Sequence, residues 1–183
     1  MHYTRETALQ RLTDAYRDCY DVELHAAADA CQPVATAAFH EQGSGYVMSK
    51  KLVVYSAIRH EYIWFFSMDH LTKECYEACL RTVRLLGEPL VNPVKHHMST
   101  NLVLLILCDT ADEEAVRALK KCRIRKSFQL SLRGWMEVQT VMVEVGSDQI
   151  TGNRAAHHTA IYLKNVLHPK MKRKYIKRKG EKL

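Results

Sequence analysis

At 183 residues, the chain has the length of one domain and can bury a sizeable core. Its formal charge is +7, but segment 170–183 alone holds eight Lys or Arg and one acid, so residues 1–169 carry 19 cations and 19 anions. A neutral body argues against a wide basic binding face and confines the excess charge to a C-terminal tail.

The sequence carries no recognisable export or membrane signal. The N-terminal residues MHYTRETALQ lack the apolar stretch of a secretory signal, and no run approaches the roughly 18–20 apolar residues of a membrane span. The six cysteines show no tight spacing and mostly fall at apolar positions, where free thiols pack as small hydrophobes. We therefore expect a cytoplasmic protein that makes no membrane contact.

The first predicted element is an amphipathic helix that begins after Thr4. Apolar residues recur at three- and four-residue intervals from Ala8 to Tyr20, which places them on one stripe. Thr4 is the candidate N-cap, and Glu6 lies in the first turn, where the helix dipole favours an acid. The Ala-rich segment 21–33 carries both helix and loop signals, and its structure is left open.

Three antiparallel strands are predicted next, with the sequences VATAAFH, YVMSKKLVVYSAI and EYIWFF. Gly43 and Gly45 supply a hairpin turn between the first two strands, and Arg59 with His60 separates the second strand from the third. The β-branched and aromatic residues of these segments suit a pleated, half-buried sheet.

A second amphipathic helix is predicted over residues 69–86, and Gly87 and Pro89 end it. Seven consecutive apolar residues, 102–108, then indicate a strand that is covered on both faces. Thr110 and Glu113 form a capping box, which predicts a third helix directly after this strand.

Two strands close the predicted sheet. Phe128, Leu130 and Leu132 alternate with polar residues, which predicts a half-buried strand, and the nearly continuous apolar run 136–145 predicts a central one. The order α-β-β-β-α-β-α-β-β predicts an α+β fold with a mixed sheet of about six strands and three main helices. We expect one globular domain over residues 1–168 and a basic tail over 169–183.

A possible polar site of the body involves four residues: Asp109, Arg133, Glu137 and Gln139. Asp109 follows the buried strand, where open α/β sheets place ligand-binding groups. Three acids at 112–114 disfavour a phosphate at the same turn, and a capping or turn role is the more common one for Asp109.

If the strand runs unbroken, its alternation places three polar residues on the same face as a hydrophobic run: Arg133, Glu137 and Gln139. This parity favours a bulge at Gly134 or polar strand ends that reach water. The alternative is a small polar site in which Arg133 pairs with Glu137, because a buried carboxylate needs such a partner.

The element order is similar in outline to the restriction-endonuclease-like fold, whose core is a helix, a three-stranded meander, a helix and a strand. That resemblance implies a nuclease in which an acid on one strand and Glu-x-Lys on the next hold magnesium. No acid of this chain is followed by lysine two positions later, and the nearest case, Glu137 with Gln139, has glutamine instead. We therefore predict no catalytic residue.

Two adjacent histidine pairs, His96–His97 and His157–His158, are the candidate metal ligands. Neighbouring residues point apart on a strand, so each pair usually gives one ligand to a site. The sequence also lacks zinc-type Cys/His spacing, GxSxG and a glycine-rich phosphate loop. We predict no metal site and no cofactor.

Two basic segments are the candidate nucleic-acid contacts. The first lies at the end of the third helix and contains Lys120, Lys121, Arg123, Arg125 and Lys126. The second is the tail, whose candidates are Lys170, Lys172, Arg173, Lys174, Lys177, Arg178 and Lys179. Together they would give salt-sensitive, sequence-independent binding, with Tyr175 as a stacking aromatic. A solvated helix end, a solubilising tail and a tail that binds an acidic protein are the alternatives.

The stretches HHMST, KKCRIRKSF and LRGWMEV resemble an uncharacterised family of small proteins from anaerobic Gram-positive bacteria, over about residues 4–155. The resemblance implies a compact bacterial cytosolic protein and gives no activity, ligand or catalytic residue. We predict a non-enzymatic module that binds nucleic acid non-specifically. A degenerate nuclease-like enzyme and a structural, partner-binding protein are the alternatives.

Overall fold

A central β-sheet with helices on both faces forms the protein. The computed structural model describes residues 3–27, 29–46 and 53–169. The strands are β1 (Asp21–Leu24), β2 (Ala35–Tyr46), β3 (Val53–Leu71), β4 (His97–Ala111), β5 (Arg125–Ser127), β6 (Trp135–Glu144) and β7 (Gln149–Gly152). The helices are α1 (Arg5–Tyr16), α2 (Lys73–Gly87), α3 (Glu113–Lys121) and α4 (His157–Leu167), and a short 3-10 turn, Glu88–Leu90, follows α2.

The sheet is mixed, with strand order β1-β2-β3-β4-β6-β5 and β7 also paired with β6. The first three strands form an antiparallel meander, whereas β3, β4 and β6 run parallel. α2 and α3 are the crossovers between these parallel strands. This arrangement confirms the predicted α+β fold with a mixed sheet; α4 is a fourth helix, in the segment 155–167.

Two hydrophobic cores lie on the two faces of the sheet. One joins α1 and α4 to alternate sheet residues that include Ile63, Val103 and Val141. The other joins α2 and α3 to the residues of opposite parity, such as Trp64, Leu104 and Met142. The alternation of side chains along each strand explains why 102–108 is apolar throughout, since both of its faces are covered.

The antiparallel meander differs from the predicted one. The chain runs straight through Arg59 and His60, so two predicted strands are the single 19-residue strand β3. Gly43 and Gly45 lie within β2, paired with β3, and are not the turn. The third strand of the meander is β1, in the segment that sequence signals left open, because its few apolar residues give no clear period.

Two predictions about the starts of helices are wrong at the level of local structure. α2 begins after Thr72 and not at residue 69, because β3 extends to Leu71. Asp112 precedes α3 and the expected capping box is not formed, since Thr110 still belongs to β4 and contacts His70.

The segment 128–133 forms a turn region in place of the predicted half-buried strand. Leu130 is 96% exposed and Leu132 is 83% exposed, so their alternation reflects no buried face. Gln129, Leu130 and Ser131 have positive φ angles, which an extended strand excludes. The paired segment here is the three-residue β5, just before this turn.

Candidate anion-binding cleft

The free edge of β6 is covered by two short strands that leave a gap between them. β5 pairs with residues 135–137 of β6, and β7 pairs with residues 141–144. Between these two pairings, the backbone of β6 is hydrogen-bonded to Asn153, whose side chain is nearly fully buried. Its amide donates to the carbonyl oxygen of Val138 at 3.0 Å and accepts from the Thr140 N–H at 3.2 Å. The gap is therefore a fixed feature of the sheet edge.

A cleft of about 560 Å³ opens beside this gap. Three arginines line it: Arg123 and Arg125 from the segment after α3, and Arg154 from the segment before α4. Glu137 of β6 is the one carboxylate in the lining. Three guanidinium groups and one carboxylate leave a net charge of +2, so the cleft suits an anion.

Arg125 is held in place by two contacts. Its guanidinium lies 4.7 Å from the centre of the Trp135 ring, and its Nη1 atom lies 4.0 Å from Oε1 of Glu137. A guanidinium over an indole ring is a favourable cation–π arrangement that leaves the N–H donors at its rim available. Because the Glu137 contact is long and half of the Arg125 side chain is exposed, the carboxylate orients this group with little neutralisation.

The basic cluster 120–126 is divided between the two faces of the sheet. Arg125 is in register with Glu137, on the α1/α4 face, and lines the cleft. Lys126 is in register with Met136, on the opposite face, where its Nζ atom lies 5.7 Å from the centre of the Phe128 ring. Lys120 and Lys121 form the last turn of α3.

A row of polar side chains extends from the cleft across the sheet. Glu61, Asn101, Glu137 and Arg125 are register partners on β3, β4, β6 and β5, so they share one face. Asn101 donates to Glu61 at 3.1 Å, and the Tyr20 hydroxyl donates to Glu61 at 2.9 Å. Burial and the charge of Glu61 raise the pKa of Tyr20, which keeps its hydroxyl protonated as a donor.

Gln139 serves a different purpose from the one that its spacing suggested. It is buried, and its Oε1 atom accepts a hydrogen bond from Thr159 of α4 at 2.6 Å. This contact fixes the first turn of α4 on the sheet. Glu137 and Gln139 thus lie on one face, as parity predicted, but only Glu137 reaches the cleft.

Asp109 and Glu137 do not converge. Glu137 is in register with Asn101, and Asp109 lies eight residues further along β4, which is about 26 Å at 3.3 Å per residue. Asp109 accepts from Nε of Arg5 in α1 at 3.0 Å. Its role at the carboxyl end of the strand is to anchor α1.

Arg133 is not paired with Glu137. Its guanidinium donates to Oε1 of Gln129 at 2.9 Å and to the backbone oxygen of Pro93 at 3.3 Å. β6 begins only after Gly134, whose φ is +68°, so Arg133 belongs to the preceding turn. The four residues of the predicted polar site therefore lie in four separate environments.

The two adjacent histidine pairs lie apart, one at the start of β4 and the other in the first turn of α4. His97 is buried, with Nδ1 2.8 Å from the Arg133 carbonyl oxygen and Nε2 2.8 Å from Oγ1 of Thr100. Within the described ranges, no three His, Cys, Asp or Glu side chains come together as a metal cluster.

Three functional features escaped the sequence reasoning: Arg154, Asn153 and the stacking of Arg125 on Trp135. Arg154 is an isolated cation in GNR, and only the β6–β7–α4 connection brings it to Arg123 and Arg125. The sequence shows that Trp135 lies near the basic segment KKCRIRK, but it does not show the β5–β6 register that stacks Arg125 on this ring. The tail candidates from Lys170 onward lie outside the described residues.

Comparison with known proteins gives a family without an assigned activity. A family model described as a domain of unknown function, DUF8052, matches residues 4–165. No curated protein and no solved structure matches the chain. Among the described helices, none is long and apolar enough to cross a membrane.

Proposed function

Because this chain belongs to the DUF8052 family, whose description assigns no function, we propose from its geometry that it binds nucleic acid through the arginine cleft. The observation that carries the proposal is the convergence of Arg123, Arg125 and Arg154 on one cleft. The tail, with its eight cations, adds sequence-independent attraction in this proposal. The protein acts as a non-enzymatic cytosolic module.

Guanidinium groups suit phosphates because their planar donors match two phosphate oxygens at once. Arg125 presents its donors from a fixed position above Trp135. The outer face of this guanidinium is a flat surface against which an unstacked base can lie. The cleft therefore favours single-stranded nucleic acid, whose bases are free to stack, over a duplex.

The cleft and the tail lie at opposite ends of α4. Ala155, just before the helix, lines the cleft, and the helix of 11 residues ends at Leu167. This length is about 16 Å, which spans about five nucleotides of a strand stacked at the ~3.4 Å axial rise of B-DNA. One bound strand can therefore contact the cleft while the tail engages its neighbouring phosphates.

The proposal is tested with a fluorescent single-stranded oligonucleotide and fluorescence anisotropy over a range of salt. Binding by the cleft arginines and the tail predicts that affinity falls steeply as salt rises. The double variant Arg123→Ala/Arg125→Ala should lower both the affinity and the salt slope, the slope by about 1.4 for two phosphate contacts on a single strand. A chain that ends at His168 should show a larger decrease in affinity and in salt slope than this double variant.

The matched control is Arg11→Ala/Arg81→Ala, which removes two exposed arginines from α1 and α2. This control should bind like the unmodified protein. Equal binding by the cleft variant and the control would overturn the role of the cleft. Equal binding by the chain that ends at His168 would overturn the role of the tail.

A nuclease-like enzyme is the second candidate, favoured by the element order of helix, three-stranded meander, helix and strand. Metal-dependent nicking of a plasmid, lost in Glu137→Ala, would support it. The separation of Asp109 from Glu137 argues against one active site that contains both.

Capture of a protein partner that survives nuclease treatment would instead support an acidic partner for the tail.

A further inference from the structure

We propose that His40 and His60 form a binding site for a divalent transition-metal ion, with Cu²⁺ as the preferred ion. The two Nδ1 atoms share a hydrogen bond of 2.8 Å, and a bound ion takes the place of the shared proton. The pair lies on the α2/α3 face of the sheet, since His60 is in register with Thr100 and Met136. It is therefore separate from the arginine cleft and independent of the proposed function.

The β2–β3 register brings the two rings together. His40 and His60 are direct partners in this antiparallel pair. Side chains at directly opposed positions leave the same face about 4.5–5.5 Å apart. This spacing lets two imidazole nitrogens reach one ion without distortion of either strand.

Aromatic neighbours hold both rings in this orientation. The His40 ring packs edge-on against Tyr62 at 5.5 Å, and the His60 ring stacks on His97 at 6.4 Å. His97 is itself fixed by two hydrogen bonds, one between Nδ1 and the Arg133 carbonyl oxygen and one between Nε2 and the Thr100 hydroxyl. Ligands whose rings are already oriented lose less freedom when an ion binds.

The ligand type indicates the ion. Imidazole nitrogens suit Zn²⁺, Ni²⁺ and Cu²⁺, and for a given nitrogen site the affinity is highest for Cu²⁺. The 2.8 Å between the two nitrogens is set by their hydrogen bond, so affinity and not this distance favours Cu²⁺.

Two protein ligands leave coordination positions for water or for an incoming anion. His40 is exposed, so solvent reaches the site directly. Over the described part of the chain, no third acidic, histidine or cysteine ligand completes it. We therefore expect an exchangeable ion that can bind an external donor.

The test uses the full chain in the His2→Ala background, which removes an imidazole beside the N-terminal amine. After dialysis against EDTA, Cu²⁺, Ni²⁺ and Zn²⁺ are titrated by calorimetry at neutral pH. The expected order of affinity is Cu²⁺ first, then Ni²⁺ and Zn²⁺, with one Cu²⁺ per chain. The electron paramagnetic resonance spectrum of the Cu²⁺ form should show coupling to two imidazole nitrogens.

His40→Ala and His60→Ala should each weaken Cu²⁺ binding by roughly tenfold or more. His157→Ala/His158→Ala removes an exposed histidine pair from α4 and should bind like the parent chain. Circular dichroism checks that each variant is folded, and the exposed His40 gives a variant that does not disturb the core. Unchanged Cu²⁺ binding in a folded His40→Ala variant, or its loss in the α4 control, would overturn the proposal.

Discussion

At the scale of single residues, Asn153 does more than its place in a short GNR turn suggests. Its side-chain amide donates to the carbonyl oxygens of Cys122 and Val138 and accepts from the N–H groups of Thr140 and Ala156. Asn153→Ala leaves these groups without that partner at a buried sheet edge. We expect a loss of about 2–4 kcal/mol in the free energy of unfolding, measured by urea denaturation.

A matched control distinguishes this loss from a general effect of removing an amide. Asn165 lies exposed on α4, where alanine is the better helix former. Asn165→Ala should therefore leave the stability unchanged or slightly higher. Equal stability of the two variants would show that the Asn153 bonds contribute nothing.

His60 makes stability depend on pH in a predictable direction. Its folded-state pKa lies below the ordinary value of about 6.5, chiefly because of burial. As the pH falls below about 6.5, the unfolded chain takes up a proton before the folded chain does, so stability decreases. Above that pH both states are neutral and the group has no effect.

His60→Gln should therefore lose less stability than the unmodified protein between about pH 7 and pH 5, as followed by urea denaturation across that range. Identical profiles for the parent and His60→Gln would contradict the expectation.

At the scale of elements, Arg5 ties the start of α1 to the carboxyl ends of two parallel strands. Its guanidinium bonds Asp109 of β4, Asp69 of β3 and Ser67, while its side chain is only 18% exposed. Arg5→Ala removes the cation between two neighbouring carboxylates. We expect a loss of about 1–2 kcal/mol and faster amide hydrogen exchange in the first turns of α1. Unchanged exchange there would show that packing alone holds the helix.

The start of β6 depends on a glycine. Gly134 has a φ of +68°, and a Cβ atom there would lie 2.1 Å from the backbone oxygen of Met98. Gly134→Ala should therefore lower the free energy of unfolding by about 2 kcal/mol or more. In Gly152→Ala the nearest contact of the new Cβ would be 3.2 Å, to Ala156, so this variant should cost clearly less.

At the scale of the whole molecule, we expect the excess charge to be separable from the fold. Residues 1–169 hold 19 cations and 19 anions, and the excess charge follows them. Removal of residues 170–183 should leave the free energy of unfolding within about 0.5 kcal/mol of its original value, because both cores lie within the retained residues. A large loss of stability would show that the tail packs on the body.

Sequence patterns located most elements but misjudged their ends. Buried positions are apolar, so burial can be seen directly in the sequence. This explains why the apolar run 102–108 and the 3.6-residue periods predicted β4, α1 and α2. The Arg59–His60 dipeptide looked like a turn because it is polar, whereas both residues lie inside β3 and pair with β2 and β4. Leu130 and Leu132 mimicked a strand because period-two spacing does not reveal whether either face is covered.

The sequence by itself determined the α+β class, the neutral body with a basic tail, and the chemistry of the candidate groups, because these depend on composition and local spacing. The tertiary structure decided which groups meet. Strand register paired His40 with His60, and the β6–β7–α4 connection brought Arg154 to Arg123 and Arg125. Contacts between residues far apart in sequence follow from register and crossover geometry, to which no local pattern corresponds.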